Sequence, residues 1–541
     1  MILKSYTPRP TKPTKWTDFY LTAIILTCGI IFTSKIQKFL DISLYDESSY
    51  LQRGVNILNN IPAAEYSPLY SFWYYILSKI SNTSIDLFYL NNTILIITLP
   101  LVFFFALRCY GVTQAAAFII AVLLLNSSFN LETMPKISNF TAIVIFIGLI
   151  TSNLTKNNFT RHLVLTLISL LASYIRPEFF ISFILLALLV LSQFHQVTQL
   201  VKLGFFMIPC LLIIIKFGIP PASGNRSLVA FGQHYAQNWV DWHKNTLNPW
   251  TNWESIFQND FGDAQSLWSA LYNNPLAFLR HIISNLVNFL NKFINFFKIY
   301  PQNNTTRYIS LICVTITIIT SLKNNTDYFY RKIKVVLKKR ESRIFLTAAL
   351  CFIIPNIFSM IVIYPRDHYI ILFGMLSLFM FSVFFYSNKS HSPFISKLTD
   401  SELIFIGILF ILIIKPLATT SSHENANLKL IQFINSLKLK DNINILEAEG
   451  GFNIYTENNY HRVAEYDKKT PFLEFLHHNN IQMIVLSNTL LSDSRFCNDP
   501  EWKIFLNDPN HWEFIKLSIP NIEKLSILVD KKLVTAKELN Q

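Results

Sequence analysis

The sequence predicts a mainly α-helical, polytopic membrane protein that ends in a small α/β domain, and three observations predict it. Hydrophobic residues make up 51% of the 541-residue chain and charged residues only 15%, against about 25% in ordinary soluble domains. Mean hydropathy is +0.35. The apolar residues gather into long runs that stop near residue 420, after which helix and strand patterns alternate. This composition excludes a soluble globular chain, a disordered chain and a disulfide scaffold. The six cysteines (Cys28, Cys109, Cys210, Cys313, Cys351 and Cys497) show no CxxC or metal spacing and read as small buried hydrophobes.

A helix needs about 20 apolar residues to cross a bilayer. Eleven runs qualify: 17–35, 86–107, 112–131, 138–153, 162–176, 178–193, 200–218, 305–322, 344–364, 368–386 and 402–419. Lys4, Arg9, Lys12 and Lys15 precede the first, and no small-residue cleavage site follows it, so it reads as an anchor rather than a cleaved signal. Glycine is scarce, 13 residues in all. Sliding and closely packed membrane helices favour small residues, so the scarcity argues for a static membrane enzyme over a transporter.

Charge gives the orientation. The net charge is +13, yet residues 420–541 hold 13 Lys/Arg and 16 Asp/Glu, leaving that region at −3 and the rest at +16. The basic residues sit in short loops between apolar runs, which is the positive-inside pattern and not the basic patch of a nucleic-acid binder. The 323–343 loop alone carries eight Lys/Arg. Threading the eleven spans with the N-terminus in the cytoplasm puts every basic loop inside. It puts 37–85, 132–137, 176–178, 219–304, 365–367 and 420–541 outside. The predicted domains are therefore a transmembrane domain, 1–419, with long outer loops at 37–85 and 219–304, and an extracytoplasmic domain, 420–541. The stretch 280–300 alternates apolar and Asn/Lys positions at helical spacing, as an interfacial helix does.

In the C-terminal region the pattern predicts helix 424–438, strand 443–448, a Gly450-Gly451 turn, strand 461–465, helix 470–479, strand 481–487, helix 500–507, and strands 512–518 and 525–530. Gly450-Gly451 is not a GxGxxG fingerprint, so no nucleotide site follows. His477 and His478 read as a solvated helix end.

Ionisable residues at the outer boundary are the candidates for chemistry. In DISLYDESSYLQRG (41–54), Asp46 and Glu47 lead into a helical pattern, and a carboxylate there can act as a general base; the competing reading is a capping box from Ser43 to Asp46. AEYSPLYSFWYYILSKI (64–80) is aromatic and shorter than a span, a reentrant or interfacial helix or an aromatic belt. In NLETMPKISN (130–139), Glu132 and Lys136 sit one turn apart, against the alternative of an ordinary surface pair. Arg176 (YIRPEFF) and Arg366 (YPRDHYI) lie in short outer turns, where a guanidinium can hold phosphate bidentately or simply snorkel. Arg226, in GNRSLVAFGQHYAQNW, is a further basic candidate in the long loop.

Taken in order, these residues resemble the GT-C membrane glycosyltransferases, the group that contains protein mannosyltransferases and aminoarabinose-type lipid A transferases, as a divergent bacterial member. The resemblance rests on Asp46-Glu47 after the first span, Tyr50, Ser67-Pro68-Leu69-Tyr70, Glu132 in the second outer loop, Arg176-Pro177-Glu178, and Arg366-Asp367-His368-Tyr369. It covers about 1–420 in topology. It implies a membrane enzyme, in the bacterial inner membrane, that moves a sugar from a polyprenyl-phosphate carrier to a lipid, glycan or protein acceptor on the outer face. Asp46 would be the catalytic base, with Glu47 and Glu132 beside it. Lys136, Arg176, Arg226, Arg366, His368 and Tyr369 would meet the lipid phosphate. Some members also use a divalent metal ion, for which Asp46 and Glu132 are the oxygen ligands on offer. A lipid-linked glycan ligase or polymerase, which would depend on Arg226 rather than Asp46, is the alternative enzyme. A transporter or flippase would instead show mid-span charges and an internal repeat.

Overall fold

The computed structural model describes residues 16–192, 197–220, 226–296, 340–386 and 400–413 of the helical region and, with short gaps, 417–534 of the C-terminal region. The expected span at 305–322 and most of the 323–343 basic loop lie outside the described residues. The chain is mainly helical with one small C-terminal sheet. Ten of the eleven expected spans fall on helices. Five helices, among the described residues, are long and apolar enough to cross a membrane: Trp16–Thr33, Ser84–Cys109, Ile137–Leu154, Phe345–Val362 and Asp367–Phe384. Gln114–Leu125, Phe179–Ser192 and Ser401–Leu412 are apolar but shorter.

One buried polar contact fixes an end of this bundle. Asp18, near the start of the first helix, accepts from Arg108 Nε at 2.8 Å and from Gln114 Nε2 at 3.1 Å. The start of Trp16–Thr33, the end of Ser84–Cys109 and the start of Gln114–Leu125 therefore share one end. Helix Ile137–Leu154 packs against both Ser84–Cys109 and Asn158–Ser173. Phe103, Phe146 and Phe379 meet edge-on or tilted in the middle, with ring centroids 5.0 to 6.1 Å apart, tying Asp367–Tyr386 to the same core.

Among the described residues, the long connection after residue 219 is mainly helical. Its helices are Arg226–His243, Pro249–Phe261, Leu267–Asn273 and Pro275–Asn295, and the last three start where the sequence offers caps. Asn248 and Asn274 each accept a backbone N–H just ahead of a proline, and Ser266 forms a capping box with Ser269. These helices bury a core of their own around Phe231, Tyr235, Phe257, Phe261 and Phe278. Pro275–Asn295 covers 280–295 of the expected 280–300 helix, whose last residues, 297–300, lie outside the described residues. It packs His281, Asn285 and Phe289 inward and leaves Leu279, Ile283, Leu290 and Ile294 exposed, as an amphipathic helix at an apolar boundary would.

The C-terminal region forms a five-stranded sheet from β1 (Ile443–Leu446), β2 (Tyr460–Arg462), β3 (Ile481–Leu486), β4 (Phe514–Ser518) and β5 (Ser526–Asp530), in the order β2-β1-β3-β5-β4. β1 pairs in parallel with β2 and β3, while β5 runs antiparallel to β3 and β4. The predicted strands and helices of this region all recur within a few residues. The domain is bound to the helical region through residues 37–48. Asp41 accepts the N–H groups of Asn427 and Leu428 at 3.0 and 2.9 Å, satisfying two free donors at the start of helix Ala426–Ser436.

Candidate functional site

The site is organised by the helix Asp46–Val55. Tyr45 enters it with φ 61° and ψ −117°, so the chain turns sharply just before Asp46. Successive residues on a helix are rotated by about 100°. Asp46 and Glu47 are neighbours in sequence but face different surroundings for that reason. Gly54 lets this helix lie against Pro68–Leu77: a Cβ there would come within 2.4 Å of Tyr74 Cβ and 2.6 Å of the Ser71 carbonyl.

Glu47 points inward and is fully buried. Its carboxylate accepts from Tyr70 Oη at 2.7 Å, from Tyr74 Oη, from Asn91 Nδ2 at 3.1 Å and from the Lys136 backbone N–H at 2.8 Å. Those donors come from Pro68–Leu77, from Ser84–Cys109 and from the loop before Ile137–Leu154. Burial raises the Glu47 pKa, against the lowering effect of these donors and of the Lys136 charge. The 64–80 stretch thus holds a short helix, two of whose tyrosines, Tyr70 and Tyr74, are ordered by one carboxylate. Lys136 is equally enclosed. Its Nζ donates to the carbonyls of Asn130 at 2.7 Å and Leu131 at 3.0 Å, and burial lowers its pKa to about 7. The ammonium is thus spent inside its own loop rather than presented to a ligand. Glu132, half-buried, lies within electrostatic range of it.

Asp46 faces outward, with its side chain 48% exposed. Arg366 Nη1 approaches Asp46 Oδ2 at 3.2 Å. Arg366 sits in the short turn between two apolar helices, where Pro365 prevents the first from continuing. Its Nε donates to His234 Nε2 at 3.0 Å. His234 in turn stacks on Tyr364, centroids 4.7 Å apart and rings 6° from parallel, and meets Trp250 edge-on. Burial, and then the Arg366 charge, push the His234 pKa well below its usual value, so the ring stays a neutral acceptor. Lys292 reaches the same turn, 3.1 Å from Asp367 Oδ1.

Three further arginines converge here. Arg226 begins the helix Arg226–His243; it donates to the Tyr50 hydroxyl at 3.1 Å and to the Glu65 carbonyl. Arg53 lies over the Tyr66 ring at 4.7 Å and Arg226 at 5.6 Å. Arg176 is buried, donates to Ser138 Oγ at 3.0 Å, pairs with Glu178 and lies 3.9 Å from the Tyr369 ring centre. The Tyr369 hydroxyl is within electrostatic range of Arg176, Arg366 and Arg226 together. His368, also buried, packs edge-on against Tyr369.

Of the residues expected from sequence, Asp46, Arg176, Arg226, Arg366, His368 and Tyr369 gather at one end of the bundle, opposite the Asp18–Arg108 end. Glu47 and Lys136 lie beneath them as framework. Of the expected carboxylates, Asp46 is engaged by Arg366 and Glu47 by four donors. Among the described residues no group of three or more His, Cys, Asp and Glu could hold a metal ion. Sequence reasoning missed His234, Trp250 and Arg53. The sequence around His234 was noted only for Arg226, eight positions earlier and two helical turns away, and no spacing rule links either to residue 366. Compared with known proteins, the chain matches no protein-family model, and no curated protein gives a significant match.

Proposed function

We propose that this chain is a GT-C-type membrane glycosyltransferase with eleven spans, a cytoplasmic N-terminus and its C-terminal domain outside a bacterial inner membrane. It would transfer a sugar from a polyprenyl-phosphate carrier to an acceptor hydroxyl. The observation that carries the reading is the half-exposed Asp46 carboxylate held by Arg366, with Arg226 and Arg176 close by, at the end of an apolar helical bundle. Arg108, and Arg161 within electrostatic range of the neighbouring Tyr110, put basic residues at the opposite end, in keeping with this orientation.

A polyprenyl chain stays in the bilayer, so its phosphate has to be met at the boundary, by guanidinium groups that suit phosphate geometry. An arriving phosphate draws Arg366 away from Asp46. The freed carboxylate then takes the proton of the acceptor hydroxyl as that oxygen attacks the anomeric carbon. The bond from the anomeric carbon to the phosphate oxygen breaks, the phosphate leaves with the electron pair, and the arginines stabilise its charge. One displacement inverts the anomeric centre. Glu47 and Lys136 keep the Asp46 helix in place and take no proton.

The test is transfer from radiolabelled polyprenyl-phosphate sugars in membranes carrying wild type or Asp46→Asn, with expression and thermal stability as controls. Label should move with wild type alone. Transfer at wild-type rate by Asp46→Asn removes the role given to Asp46, and if Arg226→Ala then abolishes it, the glycan ligase or polymerase reading is favoured. No transfer from any donor by folded wild type returns the transporter reading.

A further inference from the structure

The sharp turn at Tyr45 is held from outside the helical region. Tyr45 combines a positive φ with ψ −117°, a backbone shape that a non-glycine residue keeps only when its surroundings hold it there. The carbonyl of Gly450, in the C-terminal domain, accepts the Tyr45 N–H at 2.9 Å and the Ser48 hydroxyl at 3.2 Å. Ser48 Oγ also donates to the Tyr45 carbonyl at 2.8 Å, closing the turn from both sides. Gly451 presses on the same spot. Its φ is +144°, and a Cβ there would lie 2.5 Å from Ser48 Oγ. Beneath this glycine turn, the buried Glu447 carboxylate accepts the N–H groups of Gly451 at 3.0 Å and Phe452 at 3.1 Å, with Arg462 at 3.9 Å.

We infer that the C-terminal domain is a positioning device for Asp46: Glu447 shapes the Gly450-Gly451 turn, the Gly450 carbonyl clasps Tyr45 and Ser48, and that clasp fixes the direction in which Asp46 faces. The inference rests on Asp46 being the base. It gives the domain a part in the reaction without any domain residue touching substrate, and it makes Glu447 and Ser48 positioning residues. The domain's other tethers, at Asp41 and from Tyr455 to the Ser43 carbonyl at 3.0 Å, anchor it independently of the clasp. The clasp can therefore be loosened while the domain stays attached.

The experiment uses the full-length protein in membranes or detergent, with Glu447→Gln, Ser48→Ala and Asp46→Asn. Two readouts are taken: transfer kinetics, and hydrogen exchange at residues 44–50 with β3 as a folding control. A base displaced by about 1 Å can lose on the order of 100-fold in rate. Glu447→Gln and Ser48→Ala should speed exchange at 44–50, leave β3 protected, and lower kcat by about 10- to 100-fold with the donor KM within about threefold. Faster exchange with wild-type kcat, or unchanged exchange at 44–50, overturns the inference. Should Glu447→Gln expose β3, the domain itself has loosened, and Ser48→Ala, on the other side of the contact, decides. Should wild type transfer nothing while Ser48→Ala still speeds exchange, the clasp stands and the glycosyltransferase reading is what fails.

Discussion

Asp46 and Glu47 are adjacent carboxylates in one helical turn, yet one is half-exposed beside an exchangeable arginine and the other is sealed among four donors. Chemical type alone does not assign a role; the direction each takes from the helix does. The inner residue joins three elements. The outer one is free to change partners. Substitutions should therefore separate them cleanly. Glu47→Ala leaves the Tyr70 and Tyr74 hydroxyls and the Lys136 N–H without their acceptor, while the Asn91 amide keeps the two tyrosine oxygens at 2.9 Å. At about 1–3 kcal/mol for each buried unsatisfied group, little folded protein should accumulate. Asp46→Asn should leave thermal stability within about 1 kcal/mol of wild type while transfer falls by about 10²- to 10⁴-fold. Expression yield and melting temperature, read beside transfer, check both halves. Equal losses of stability in the two variants would collapse the distinction.

Arg366 sharpens the outer half. It holds Asp46 and His234 through different nitrogens, a geometry that a lysine ammonium cannot copy. If its work is to take the donor phosphate, Arg366→Ala should raise the donor KM by about 10- to 100-fold, the equivalent of one charged hydrogen bond. Arg366→Lys should recover part of that through charge alone. A large fall in kcat at unchanged KM would instead make Arg366 a group that acts only in the transition state.

The helical region was legible in sequence because burial in lipid demands long apolar runs, and the C-terminal elements because turn residues and alternation bound each one. The count of crossings was less legible. Gln114–Leu125 is a helix as expected but stops short of the length expected from 112–131, whereas Phe179–Ser192 meets the expected 178–193 to within a residue, with residue 193 outside the described residues. Asn126 and Ser127 end the first of these, and a separate short helix, Ser128–Leu131, follows. At the site, residues next to a helix end or a turn were found because such positions stand out in a sequence. Which carboxylate turned inward was not readable, since it depends on the φ of Tyr45 and the clasp from residue 450, some four hundred positions away. Lys136 illustrates the same limit: a boundary lysine suggests a phosphate ligand until its loop folds over it.

That loop makes the inner half sensitive to pH. Unfolded, the Lys136 ammonium keeps its proton to about pH 10.5; folded, it gives it up near pH 7. Between those values the unfolded chain binds more protons, so stability should rise with pH through the window and be lost as pH falls through about 7. Glu47, with its pKa raised by burial, contributes the opposite slope above the ordinary carboxylate range. Melting temperatures of detergent-solubilised protein from pH 6.5 to 9.5 should climb for wild type and flatten in Lys136→Met. An unchanged slope in that variant would assign the effect to another group.

The smallest effect is expected at His234, and it tests whether the outer half is organised at all before a donor arrives. Because Nε2 accepts from Arg366, the ring proton belongs on Nδ1, which faces Gln237 Oε1 at 3.4 Å. The ring's stacking on Tyr364 fixes that acceptor, so Arg366 is aimed by a neutral group and keeps its full charge for an anion. His234→Ala removes the acceptor and one stacked face, worth about 0.5–1.5 kcal/mol as a net hydrogen bond. The donor KM should rise by no more than about tenfold, with kcat nearly unchanged, and His234→Gln should restore part of the loss by returning an acceptor. Wild type, like both variants, should show a KM that stays flat from pH 6 to 8, because a histidine held neutral has no proton to lose there. A wild-type KM that instead weakened sharply below pH 6.5, with the dependence gone in His234→Gln, would mean the imidazole gains a proton in the folded protein. Arg366 would then be repelled by His234 rather than held, and the pairing with Asp46 would carry the arginine alone.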